Sequence, residues 1–381
     1  MGHSKTGGGI SGVLATLALL WSQTAGADYA LNMTRGVTEL SREFYDLHML
    51  ILWICCAIAV LVFSVMFWSI FKHRKSQGAV AAQFHHSTKA ELIWTIIPII
   101  ILVGMAFPAT KALVKMESTG DADMTVKITG HQWKWHYEYV DAGFGFFSVL
   151  AADSNEARAL GSGKNPEEVE NYLLEVDRPL VLPVGKKVRF LMTANDVIHA
   201  WWVPALGWKR DSIPGYINES WARIDEPGTY RGQCAELCGK DHGFMPIVVK
   251  AVPEDEYYAW VEEALVAQVD ASAGADREWS KDELMTKGEQ VYGTFCVACH
   301  QPNGQGIPPA FPALAGSVIA AGPVAEHLDR VMNGKPGTAM AAFGAQLNDV
   351  DLAAVTTYER NAFGNNAGDV VQPAAIKAAR K

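Results

Sequence analysis

The sequence predicts a multidomain protein: a membrane-crossing hairpin of two helices, then an all-β domain, then a small all-α domain. Three observations predict it. Residues 47–71 and 92–110 are runs of 25 and 19 residues without a formal charge, and about 20 apolar residues carry a helix across a bilayer. From Met124 the apolar pattern changes to period two, in short runs punctuated by Gly and Pro, as half-buried strands require. From Lys281 it returns to helical runs, at 281–295 and 350–362. A chain of 381 residues has room for two or three domains.

Taken in order, residues 1–27 carry Lys5, an apolar run over 13–21 and the small residues Ala25-Gly26-Ala27. That pattern predicts a signal peptide cleaved near Ala27; an uncleaved extra span is the alternative, although the apolar core is short for one. Residues 28–114 form the hairpin, with spans at about 47–71 and 92–113. Between the spans, residues 72–91 hold four Lys or Arg against one acid, so the loop faces the cytoplasm and both long flanks face outward. Thr88 and Glu91 have the spacing of a capping box at the start of the second span. In the all-β domain, 115–269, residues 132–139 alternate aromatic and polar side chains. Further strands are expected at 172–176, 180–182, 187–193, 221–224, 228–233 and 245–252, an insertion with a short helical piece at 161–169, and a closing helix at 254–269. Residues 270–278 are small and polar, the composition of a flexible linker. The helical domain covers 279–365 and a polar tail 366–381.

The six cysteines are all accounted for without a disulfide. Cys55 and Cys56 lie in the first span as small apolar residues. The run Cys234-Ala-Glu-Leu-Cys238-Gly-Lys-Asp-His242-Gly-Phe-Met245 gathers two thiolates, an imidazole and a thioether, soft donors that suit copper. Two cysteines four apart let each sulfur bridge two ions, which predicts a binuclear copper centre. His199, on an earlier strand, is the best-placed second histidine. A zinc site or a reduced thiol pair is the alternative, but zinc would gain nothing from Met245. Cys296-Val-Ala-Cys299-His300 is the attachment signature of a c-type haem: the two cysteines bond the vinyl groups and His300 binds the iron. Met332 and Met340 both qualify for the sixth iron position.

The copper run has the form C-x-E-x-C-x-x-x-H-x-x-M with every marked position filled, and so resembles the CuA loop of cytochrome c oxidase subunit II. With the haem motif added, the whole chain past residue 27 resembles subunit II with a fused carboxy-terminal cytochrome c domain, as in caa3-type oxidases. The resemblance implies a cupredoxin-like CuA domain for the all-β part and a cytochrome c domain for the all-α part. It implies His199, Cys234, Cys238, His242 and Met245 as copper ligands through side chains and Glu236 as one through its carbonyl. The Glu236 carboxylate would help hold a magnesium ion against subunit I. Glu91 matches the mouth of a proton path, beside its capping role. Met340, after Gly334-Lys-Pro-Gly337, matches the distal haem ligand. Trp133, in Gly130-His131-Gln132-Trp133, matches the point where the donor's electron enters, although alternation alone puts it with Trp135 on a core-facing side. His131 and His136 read as satisfied polar histidines.

The function so implied is that of an oxidoreductase subunit in a proton-pumping respiratory complex. Electrons from a cytochrome c donor would pass through haem c and CuA to haem a and the oxygen-reducing site of subunit I. The implied partners are subunit I, subunit III, a cytochrome c or similar donor, and membrane lipid. The implied location is a bacterial plasma membrane, crossed more than once, with both soluble domains on the periplasmic side. Rival readings are a tethered copper and haem protein serving a different reductase, and a non-catalytic copper carrier. The formal net charge of −9 argues against a nucleic-acid partner. Residues 115–278 hold 16 basic and 27 acidic residues, whereas 279–381 hold 8 and 9; this acidity either steers a basic redox partner or is an ordinary solvated surface.

Overall fold

The computed structural model describes residues 32–83, 85–159 and 161–380, apart from the side chains of 270–273; the expected signal peptide lies outside the described residues. Among the described residues, two helices are long and apolar enough to cross a membrane: α1 (Glu39–Lys72) and α2 (Thr88–Met116). At 1.5 Å per residue, the 34 residues of α1 extend about 51 Å, well beyond the roughly 30 Å hydrocarbon layer. The excess lies at its amino end, where Thr38, Leu40 and Ser41 are buried against the β-domain. Thr38 and Ser41 cap the helix reciprocally, and the Thr38 hydroxyl donates to the Leu206 carbonyl at 3.0 Å. The polar residues ahead of the first span are thus helix docked on protein.

At the far end of α2, Ala112 is buried and the Trp221 indole donates to the Lys115 carbonyl at 3.1 Å. Lys115 pairs with Glu39 and Glu43 at 2.6 and 2.8 Å; Arg223 pairs with Glu39, and Arg42 with Asp225. The start of α2 departs from the expected capping box. Ser87 is the N-cap, so Thr88 is already helical, and the Glu91 carboxylate accepts a long 3.4 Å bond from the Ser87 N–H.

The β-domain has two five-stranded sheets. One runs β3 (Phe144–Ser148), β2 (Lys134–Tyr139), β1 (Met124–His131), β5 (Lys187–Ala194), β8 (Asn218–Arg223). The other runs β4 (Leu180–Pro183), β10 (Pro246–Val252), β9 (Gly228–Cys234), β6 (His199–Trp202), β7 (Lys209–Ser212). β1 pairs with β5, and β4 with β10, in parallel; the other neighbours are antiparallel. Alternation is clean in β5, where Val188, Phe190, Met192 and Ala194 are buried, and holds in β2 from Trp135 onward, where Trp135, Tyr137 and Tyr139 are buried. Residues from both sheets meet in one core that also takes in Leu40 of α1 and Tyr257 of α4 (Glu254–Ala273). Residues 172–175 form turns instead of a strand, with only Val176 bridged to Leu150.

Within the insertion expected at 161–169 the helical piece is a single turn at Pro166–Glu168, and a short helix, α3 (Ala152–Ala157), lies ahead of it. The expected flexible linker is largely helical: α4 continues to Ala273, a turn covers Gly274–Asp276, and the Trp279 indole donates to the Gly274 carbonyl at 2.8 Å. The C-terminal region contains α5 (Lys281–Phe295), α6 (Val297–His300), α7 (Val324–Asn333), α8 (Asp349–Asn361) and α9 (Pro373–Ala379). α5 and α8 cross closely at Gly288, where an added Cβ would lie 2.2 Å from the Ala354 carbonyl oxygen.

Candidate metal centre

β9 ends on Cys234, a loop carries Cys238, a helical turn begins at His242, and Met245 leads into β10. The Cys234 N–H donates to the Met245 carbonyl at 3.0 Å, which closes the loop at its neck. β6 begins on His199 and pairs with β9, so His199 faces the loop from the neighbouring strand. Ligand atoms of His199, Cys234 and Cys238 lie within 4.8 Å of one another, all buried. The sulfurs are 3.8 Å apart; His199 Nδ1 is 3.9 Å from Cys234 Sγ, and His242 Nδ1 is 3.5 Å from Cys238 Sγ. The Glu236 carbonyl oxygen lies 3.4 Å from Cys234 Sγ, and Met245 is buried. The sequence-predicted donors therefore converge, with one imidazole beside each sulfur.

The electrostatics suit a cation. The neighbouring Cys238 thiol, against the opposing effect of burial, pulls Cys234 below the ordinary thiol range, while Cys238 is held up by Cys234 and by burial. Although burial opposes its charge, bonds to Asp196 and Cys234 keep the His199 imidazole above its ordinary range. Asp196 Oδ1 sits 2.9 Å from His199 Nε2 and fixes the ring with Nδ1 toward the sulfurs. Burial works against the Asp196 carboxylate, but the bonds from His199 and the N–H groups of Gln132 and Val197 hold it below its usual range. Gly130 leaves space for the ring: a Cβ there would stand 2.7 Å from His199 Cδ2. The donor set fits copper, since a single zinc ion could take the four strong donors but would leave Met245 and the Glu236 carbonyl unused.

Several supporting groups had little sequence signal. Asp196 was visible only as an acid three residues before His199. The Gln132 side-chain amide and the Trp133 indole both donate to the Cys238 carbonyl, at 2.8 and 3.1 Å. Trp133 is not on a strand: His131 pairs with Lys134, and Gln132 and Trp133 turn the hairpin. Its half-buried ring thus lies against the copper loop, while Trp135 packs edge-on to His199 at 5.9 Å. From the end of α3, Arg158 reaches Asp241 at 3.3 Å and covers the Phe244 ring at 4.2 Å. His131 is pushed down to about 3 by burial and by the charge of Lys134, so it stays neutral. Burial lowers His136 too.

In the C-terminal region α5 runs into Cys296, and α6 carries Cys299 and His300. His300 is buried, and its Nδ1–H donates to the Pro312 carbonyl at 2.9 Å, leaving Nε2 for a metal. This pairing is the usual orientation device for a metal-ligating imidazole, so the residues fit a haem. Met332 is buried in the helical core and Met340 is half-buried against it. Glu91 stands at the opposite end of α2 from the β-domain, about 38 Å along the helix from Met116.

Comparison with known proteins follows the same division. The family model described as "Cytochrome C oxidase subunit II, transmembrane domain" matches residues 26–112, and "Cytochrome C oxidase subunit II, periplasmic domain" matches 124–252. A "Probable cytochrome c oxidase subunit 2" of Rickettsia bellii is 41% identical over 225 residues, 59% of this chain and 80% of that protein. A "Cytochrome c oxidase subunit 2" of Alkalihalophilus pseudofirmus is 31% identical over 335 residues, 83% of this chain and 86% of that one. The crystal structure of the periplasmic domain of subunit II from Bradyrhizobium japonicum is 42% identical, covering 39% of this chain and 98% of that one, with a TM-score of 0.34.

One expectation is corrected. Residues 283–358 match the family model described as "Cytochrome C oxidase, cbb3-type, subunit III", so the C-terminal region is not the fused cytochrome c domain expected from caa3-type oxidases. The physical reason is that a five-residue attachment motif between two helices specifies a bond to haem and leaves open which helical module presents it. The apolar helices and the periplasmic-domain match support a membrane-associated, periplasm-facing architecture. The chain belongs to the cytochrome c oxidase subunit 2 family, as a member of an enzyme complex whose catalysis lies in a separate subunit.

Proposed function

We propose that this chain is the electron-delivering subunit of a haem–copper oxidase, holding a binuclear CuA centre and a c-type haem on the periplasmic side of a membrane that α1 and α2 both cross. The observation that carries the proposal is the pair of buried sulfurs 3.8 Å apart with one imidazole beside each. His199, Cys234, Cys238, His242, Met245 and the Glu236 carbonyl would hold the copper pair. Cys296, Cys299 and His300 would hold the haem, with Met340 as the sixth iron ligand. When bound, both groups supply one-electron chemistry without bond making.

The chain's own residues set the conditions for that chemistry. Asp196 holds the His199 tautomer, burial keeps water from the sulfurs, and the hairpin at Gln132 and Trp133 ties the copper loop down. Trp133 touches the loop and reaches the surface, which supports its role as the point of electron acceptance from a cytochrome c donor. Val197, Ile198 and Leu237, beside ligands in sequence, are exposed and apolar, a surface suited to docking subunit I. The Glu236 carboxylate would share a magnesium ion there, Glu91 would open the proton path, and subunit III completes the assembly. Metal analysis and electron paramagnetic resonance of the purified complex test the reading. Two coppers per chain sharing one unpaired electron, with haem that survives denaturation, are expected; one copper or a zinc ion would refute it.

A further inference from the structure

The first residue of β2 breaks the alternation of its strand. Trp135, Tyr137 and Tyr139 face the core, so Lys134 should face water with His136 and Glu138. It is instead only 5% exposed. Its ammonium lies 5.6 Å from the ring centre of Phe147 on β3, 4.8 Å from Phe295 at the end of α5, and 5.4 Å from Phe343 after α7. The rings also meet each other: Phe147 and Phe295 are edge to face at 5.2 Å, and Phe295 and Phe343 at 6.3 Å. Burial lowers Lys134 to about 8. Close by, Lys240 of the copper loop donates to the Ala298 carbonyl, inside the Cys296–His300 motif, at 2.8 Å.

Taking an ammonium out of water is costly. Facing aromatic rings return part of that cost when desolvated, so rings from both domains together make this buried lysine tolerable. We propose that Lys134 is the lock of a docking interface built into this chain, which seats the C-terminal domain on the β-domain with the Cys296–His300 motif against the copper loop. An apolar residue would allow the domains to slide. A caged cation fixes one orientation, because the cage exists only in that orientation. The purpose assigned to the lock, a fixed path between two redox sites, rests on the function proposed above; the lock itself does not.

Amide hydrogen exchange on the full chain in its purified complex tests it, comparing Lys134→Met, Lys134→Arg and Phe343→Leu. The expected result is that Lys134→Met speeds exchange about tenfold or more in peptides around Phe147, Phe295 and Phe343, that Lys134→Arg stays near wild type, and that copper content is kept. Phe343→Leu, on the C-terminal side of the cage, should reproduce the faster exchange and decides the matter if Lys134→Met does not fold. Wild-type exchange in both Lys134→Met and Phe343→Leu would overturn the proposal. Absence of copper or haem would overturn the function above and leave this readout intact.

Discussion

Replacing Arg158 by Met tests how the end of α3 governs the 234–245 loop. Arg158 follows α3 and grips both sides of His242: its guanidinium pairs with Asp241 at 3.3 Å and stacks on Phe244 at 4.2 Å, while Nε donates to Asn155. Asp241 is only 4% exposed at its side chain. Removing one partner of a buried pair costs about 3–5 kcal/mol because a charge is left behind. Here the contact is long, and Lys240 remains 3.5 Å from the same carboxylate. Methionine keeps most of the stem over Phe244 but loses a cation–π contact of about 1 kcal/mol. The net expectation is about 2–3 kcal/mol against the closed loop, a factor of roughly 30–150 at 1.4 kcal/mol per tenfold. Amide exchange of peptide 239–245 and copper release to a chelator measure it directly. Adding Asp241→Asn removes the stranded charge, so the double variant should recover part of the loss. Wild-type exchange and release in Arg158→Met, or a double variant worse than the single, would refute the reasoning.

Three further outcomes are expected. Gly130→Ala should force the His199 ring aside, at about 1–3 kcal/mol for overpacking, and weaken copper binding in a metal titration while leaving haem attachment unchanged. Asp196→Asn should lower copper affinity about 10–100-fold by freeing the His199 tautomer, measured by competition with a chelator. Met340→Ala should keep the haem bound through Cys296 and Cys299 yet lose the methionine-to-iron charge-transfer band; if Met332→Ala loses it instead, the sixth ligand is misassigned.

Much of the β-domain and the donor set was legible in the sequence because both are local signals. Six donors fall within a twelve-residue run and one neighbouring strand, and β5 shows its period without interruption. What stayed hidden depends on contacts far apart in sequence. Strands β3 and β7 are short, and β3 is interrupted by Gly145, so neither shows a period. Trp133 sits in phase with Trp135 but occupies a turn, and only the pairing of His131 with Lys134 reveals it. Lys134 reads as a solvated residue until the C-terminal domain covers it. The length of α1 was underestimated because Glu39, Arg42 and Glu43 look like the polar edge of a span, whereas their partners, Lys115, Arg223 and Asp225, lie up to 184 positions away.

Those same charges brace the molecule. Lys115 near the end of α2 holds Glu39 and Glu43 of α1, while Arg223 and Asp225 at the sheet edge hold Glu39 and Arg42. Two stalks and a sheet joined this way form a tripod, which resists swivelling at the water surface. Membrane helices tilt when the bilayer thins or thickens. A hinged stalk would absorb that tilt, but a braced one passes it upward as a rotation of the whole β-domain. The height of the buried His199–Cys234–Cys238 cluster above the lipid therefore becomes sensitive to membrane thickness.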